Sequence, residues 1–153
     1  MDKKIIGFHI DDEDDWVADL ACGHTQHVRH NPPWTNRPWV LKEETRKPFL
    51  GTHLDCLKCN MPKMPANVYL VGSVECLDQQ SLVEQYAGMQ CNDKGWIQII
   101  VTEGELVYQL VTDKLTGYVI DADLSAVVAP DSKFFLKPKG DVLFSLYRYQ
   151  VVT

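Results

Sequence analysis

The spacing of apolar and polar residues divides the chain into two differently patterned stretches. Near the start, Ile5-Ile6-Gly7-Phe8-His9-Ile10 is a mostly apolar run of strand length. Asp11-Asp12-Glu13-Asp14-Asp15 follows, then Trp16-Val17-Ala18-Asp19-Leu20. Two such runs around a polar turn predict a β-hairpin. The acidic run reads as a solvated loop tip, because it lacks the alternating oxygen ligands and turn glycine of a calcium loop. After Cys22 the pattern loses its period. Pro32, Pro33 and Pro38 forbid a continuing helix, and a short helix is predicted around Lys42–Lys47.

From residue 64 the apolar runs recur as short strands: Val68–Val71, Trp96–Thr102, Glu105–Leu110, Gly117–Ile120, Ala126–Ala129, Phe134–Leu136 and Val142–Tyr149. Glu103-Gly104 reads as a turn between two of them, and Asp78–Tyr86 as one helix. Many short strands with turn signals between them predict a sandwich or small barrel. Asn60-Met61-Pro62-Lys63-Met64-Pro65 reads as a linker. The expected architecture is mainly β, with a small module at 1–60 and a barrel at 64–153.

Composition sharpens that division. All five histidines, three of the four tryptophans and three of the five cysteines lie in the first 60 residues. No apolar run reaches the roughly 18–20 residues that span a membrane. No long apolar stretch follows Lys3 and Lys4, so a cytoplasmic protein without a signal peptide is expected. A net charge of -6 gives no global attraction to phosphate backbones and argues against general nucleic-acid binding. Five cysteines in such a chain favour metal or redox chemistry over a disulfide framework.

Cys56-x-x-Cys59 places two thiolates where one ion can be held from a tight turn. The redox use of the same spacing wants a βαβ pattern, which is absent around Cys56. Cys22-Gly23-His24, with His27 in reach, is the second half-site. One structural zinc per chain is therefore expected, held by Cys22, Cys56, Cys59 and a histidine, in a zinc-ribbon-like module too small to build much core alone. Either His24 or His27 could complete the set, and His30 is more remote. His24 would project with Cys22 if the chain were extended there. Arg29, His30, Trp34, Arg37 and Trp39 could form a basic and aromatic patch for an anion or a base. The same tryptophans and prolines could instead supply the small core.

The string Gly-Phe-His, Trp-Val-Ala-Asp-Leu, Cys-Gly-His-x-Gln-His-Val-Arg-His-Asn-Pro-Pro-Trp, Arg-Pro-Trp-Val and Cys-x-x-Cys resembles the DUF3565 family over about residues 5–60. Members of that family are bacterial and of unknown function, some described as pressure-regulated. Met64-Pro65-Ala66-Asn67-Val68, Trp96-x-x-Ile99-x-Val101-x-Glu103-Gly104-x-Leu106-x-Tyr108, Pro130 and Pro138-x-Gly140-x-Val142-x-Phe144 are similar to the DUF1971 cupins, of TehB/YeaR type, over about 64–150. That second resemblance implies a cupin-like β-barrel and a link to tellurite, nitrate or nitrosative stress. It also implies histidine ligands, one of which aligns with Phe134 and another with residues 89–91. With no histidine after residue 60, a histidine-based barrel site cannot form. Cys76 and Cys91 are expected as buried or half-buried thiols.

These readings lead to a zinc-stabilised binding or sensing protein for a small ligand or another protein. A metalloenzyme using the histidine-rich segment, and a nucleic-acid-associated protein using Arg29, Arg37 and the tryptophans, are the alternatives. Three thiolates and one imidazole form a closed structural set, which favours the first reading. An open sheet edge would allow a homodimer through the barrel.

Overall fold

A computed structural model of the chain describes residues 1–12, 14–28, 37–113 and 115–153. It divides into two compact units, Met1–Asn60 and Met61–Thr153. Both are built mainly from antiparallel strands.

In the N-terminal unit, β1 (Asp2–Ile10), β2 (Trp16–Leu20), β3 (Thr25–His27) and β4 (His53–Asp55) form one sheet in the order β3-β2-β1-β4. The predicted hairpin is the β1–β2 pair, with Ile10 opposite Trp16. A bulge between Ile5 and Gly7 bends β1. Two single-turn helices, α1 (Glu43–Arg46) and α2 (Leu57–Asn60), and two 3-10 turns, Pro38–Leu41 and Lys47–Phe49, are the other elements among the unit's described residues.

Its core is small: Ile5, Ala18, Leu20, Val28, Val40, Leu54 and Cys56 are buried, with Phe8, Trp16, Cys22, Trp39 and Cys59 packed against them. Aromatic stacking supplies much of what a unit this size can bury. The Trp39 ring lies flat on Phe49 at 3.7 Å and meets Phe8 edge-on at 5.8 Å. The Arg46 guanidinium covers Trp16 at 3.6 Å and donates to the Val40 carbonyl at 2.9 Å, so one cation closes the rim of the apolar cluster.

The C-terminal unit is organised by two long strands, β8 (Trp96–Val111) and β11 (Ser132–Val151), paired along most of their length. Against β11 lie β5 (Val68–Leu70), β6 (Glu75–Asp78) and β7 (Gln90–Asn92). Against β8 lie β9 (Leu115–Ile120) and β10 (Ala126–Val128). The helix α3 (Gln79–Gln85) begins at Asp78, whose carboxylate accepts from the Ser81 N–H at 2.8 Å.

Two expected breaks are bends rather than turns. Glu103-Gly104 lies inside β8, and residues 137–141 lie inside β11. The register shifts there, between Lys139 and Val142 and again between Leu143 and Phe144. Burial in β8 changes phase across the bend, from Ile97, Ile99 and Val101 to Leu106 and Tyr108. An inserted residue has this effect in a strand of period two. Gly104 makes the bend at φ +78°, where an added Cβ would lie 2.1 Å from the Asp141 carbonyl oxygen.

No described helix is long and apolar enough to cross a membrane.

Candidate metal centre

Two tight turns bring the N-terminal cysteines together. The first joins β2 to β3. There Gly23 takes φ +86°, and its N–H donates to Leu20 O at 2.9 Å. The Leu20 N–H donates to His24 O at 3.0 Å. Cys22 and His24 thus flank a left-handed glycine rather than lying on an extended segment. A residue with a Cβ would hold this turn at a cost. The second turn runs from β4 into α2. Cys56 follows the strand directly, and the Cys59 N–H donates to its Sγ at 3.4 Å.

The four donor atoms of Cys22, His24, Cys56 and Cys59 all lie within 4.8 Å of one another. Cys22 Sγ is 3.7 Å from Cys56 Sγ. His24 Nδ1 is 3.5 Å from Cys22 Sγ, 3.5 Å from Cys56 Sγ and 3.3 Å from Cys59 Sγ. Tetrahedral coordination, with sulfur at about 2.3 Å and nitrogen at about 2.0–2.1 Å, puts neighbouring donors about 3.6–3.8 Å apart. The separations in the cluster fall close to those edges. They are far beyond the roughly 2.05 Å of a disulfide, and all five cysteines are free. The cluster could hold one metal ion.

Burial dominates the electrostatics of the innermost thiol. Cys56 is fully buried, and desolvation pushes its pKa up to about 11, with the neighbouring Cys59 and Cys22 thiols adding to the rise. Burial also resists ionisation of Cys22. There the His24 N–H and the Cys56 and Cys59 thiols outweigh it, and the pKa falls below its ordinary value. A bound cation would offset the burial of Cys56, because it stabilises a thiolate directly.

Gln26 links the two turns. Its Nε2 donates to Asp55 O at 2.8 Å, and its Oε1 accepts from the Leu57 N–H at 2.8 Å. Sequence pattern alone does not single out Gln26. Its one signal is the spacing: on a strand, residues two apart share a side, and Gln26 follows His24 by two.

The other predicted residues separate from this cluster. His27 is not part of that donor group, and its Nε2 lies 2.7 Å from Asp11 Oδ2. Asp11 Oδ1 accepts from the Asp15 N–H at 3.0 Å, so His27 secures the β1–β2 turn. Arg37 is half-buried, and burial pulls its pKa down. Trp39 is packed between Phe8 and Phe49 and does not stand in an open patch. Arg29, His30 and Trp34 lie outside the described residues.

In the C-terminal unit, Phe134 is buried with its ring 5.9 Å from that of Tyr108, which in turn stacks on Tyr118 at 5.8 Å. Burial raises the Tyr108 phenol far above its ordinary range. Cys76 and Cys91 are exposed, contrary to expectation. Each sits on a short strand pairing with β11, Cys76 opposite Ser145 and Cys91 opposite Lys133.

Residues 6–63 match the family described as "Protein of unknown function (DUF3565)". That segment contains all four donors of the cluster. No curated protein matches the chain in sequence. Among solved structures, the chain is similar to a protein from E. coli (strain K12). The TM-score is 0.53 at 17% identity, over 61% of this chain and 100% of that one. It is also similar to TehB from Haemophilus influenzae, with a TM-score of 0.51 at 13% identity, over 57% of this chain and 33% of that one. At these identities the likeness is one of fold.

Proposed function

We propose that the N-terminal unit is a zinc-stapled module, in which Cys22, His24, Cys56 and Cys59 hold one structural zinc ion. The observation that carries this reading is the set of donor separations, 3.3–3.7 Å, at the edges a tetrahedral ion requires. Three soft thiolates and one imidazole select zinc over harder divalent ions. They also complete its four-coordinate shell, which leaves no open position for a catalytic water. The Nδ1 of His24 faces the sulfurs, so Nε2 would carry the ring proton.

The C-terminal unit is proposed as a cupin-like barrel that binds or senses rather than catalyses. Phe134, Tyr108 and Tyr118 fill the region where the DUF1971 resemblance expects a histidine ligand, and this supports a role without a barrel metal. In this reading the resemblance to TehB/YeaR-type cupins links a cytoplasmic protein to tellurite, nitrate or nitrosative stress, and the fold likeness to TehB supports the fold alone. Its partner in this reading is a small ligand or another protein.

Elemental analysis of the purified full-length protein tests the metal. About one equivalent of zinc per chain is expected. Cobalt substitution should give the intense visible bands of tetrahedral thiolate coordination. A protein that copurifies without metal, and takes up neither zinc nor cobalt, would end the reading.

A further inference from the structure

We infer that Gln26 is the positioning residue of the metal centre, setting the two ligand pairs at the distance one ion needs. The inference rests on the proposed metal-binding reading and goes beyond it, because Gln26 contributes no donor to the ion.

The argument begins with topology. Cys22 and His24 come from the loop before β3, and Cys56 and Cys59 from the turn after β4. Those two strands are the opposite ends of the sheet order β3-β2-β1-β4. Among the described strands no ladder joins the two ligand pairs directly, and the sheet connects them through β2 and β1. That path includes the bulge between Ile5 and Gly7, where small changes in curvature would shift one pair against the other.

Gln26 spans the gap from edge to edge. Its amide makes two hydrogen bonds of 2.8 Å, one to each of the residues that bracket Cys56. A side-chain amide carries one acceptor and one donor group, as a backbone peptide does. Here it pairs with the C=O of Asp55 and the N–H of Leu57, as a neighbouring strand would. The Leu57 N–H opens α2 and has no acceptor within its own helix. Asp55 lies on an edge strand paired on one side with β1. Gln26 thus satisfies two backbone groups that the fold otherwise leaves to water and fixes both sides of the buried thiol. Because Gln26 and His24 sit two residues apart, the same short segment supplies a ligand and the brace for the opposite pair.

Outer partners of this kind commonly change metal affinity about 10–100-fold when removed. The test uses the full-length chain as wild type, Gln26→Met and Ile5→Val. Gln26→Met keeps the side-chain length and removes both hydrogen bonds. Ile5→Val thins the core and leaves the brace in place. Zinc affinity is read by chelator competition, and cobalt spectra report the ligand set.

The expected result is a loss of about 10–100-fold in zinc affinity for Gln26→Met, larger than the loss for Ile5→Val, with tetrahedral thiolate bands retained. An affinity within twofold of wild type would overturn the inference while leaving the metal reading intact. So would a loss no larger than that of Ile5→Val, which would make Gln26 merely structural. A wild-type protein that binds neither metal would overturn both. If Gln26→Met does not fold, Gln26→Glu decides. It keeps the acceptor for Leu57 and loses the donor to Asp55, so an intermediate loss is expected and an unchanged affinity overturns the inference.

Discussion

The Nδ1 atom of His24 lies 3.3 Å from the Sγ of Cys59, 35 positions later in the chain. Two glycine-dependent or helix-opening turns create that proximity, and neither is stable without partners. Among its described residues, the unit they belong to has a small core, two helices of a single turn each and outer strands of three residues each. Isolated elements of this length are marginal in water. In the proposed reading, metal coordination contributes directly to folding.

Cys56→Ser should therefore release the metal and unfold the N-terminal unit. Zinc binding in small modules is worth on the order of 10 kcal/mol, far more than such a core can replace. Cys76→Ser, at an exposed thiol, should leave metal content unchanged. Elemental analysis with circular dichroism checks both. Equal metal content in Cys56→Ser and wild type would contradict the proposed ligand set.

The bend in β8 makes its own demand. Gly104→Ala places a Cβ 2.1 Å from the Asp141 carbonyl in addition to its positive φ. Gly140→Ala shares the positive φ but meets nothing within 4 Å. The left-handed conformation alone costs about 1–2 kcal/mol for a residue with a Cβ, so Gly140→Ala should lose about that much. Gly104→Ala should lose more, because backbone must move. Denaturant titration of the two variants reads the difference, and equal losses would show that the close approach is immaterial.

Phe134→His would introduce the residue that the DUF1971 resemblance implies at that position. It should not create a metal site, because residues 61–153 contain no other histidine. It should destabilise the C-terminal unit by about 3 kcal/mol, since a buried ring beside Tyr108 is exchanged for a smaller polar one. Metal content above that of wild type would show that the C-terminal unit can recruit other ligands.

The pH dependence of the C-terminal unit should include a component from Asp78. The Ser81 N–H and hydroxyl hold its carboxyl below the usual value of 3.8. A depressed folded-state pKa adds stability that is complete above about pH 4–5 and is lost as pH falls through the folded-state value. Asp78→Asn keeps a capping oxygen but cannot titrate. It should show a shallower fall in melting temperature between pH 5 and pH 3, and an unchanged slope would remove Asp78 from the acid response.

Much of the N-terminal site was legible in the sequence because metal ligation depends on residue type and short spacing. Cys56-x-x-Cys59 and Cys22-Gly23-His24 identify the two half-sites without any fold, since each is made within one turn. The β1–β2 hairpin was legible for the same reason: its pairing is local and its apolar runs flank one polar turn. Strand content downstream of residue 64 also followed from pattern, but strand continuity did not. Glu103-Gly104 has the composition of a turn, and only its pairing with β11 makes it a bend within one strand.

Tertiary structure alone separated His24 from His27. Both lie close to Cys22 in sequence, and the choice depends on the left-handed Gly23 and on Asp11, which takes His27 Nε2 at 2.7 Å. It also selected Gln26, an ordinary polar residue until β3 and β4 become the two edges of one sheet. The sequence determined which chemical groups were available and which of them met within a turn. Their meeting across 30 or more residues depended on sheet order and curvature, which are cooperative properties of the packed chain rather than of any local segment.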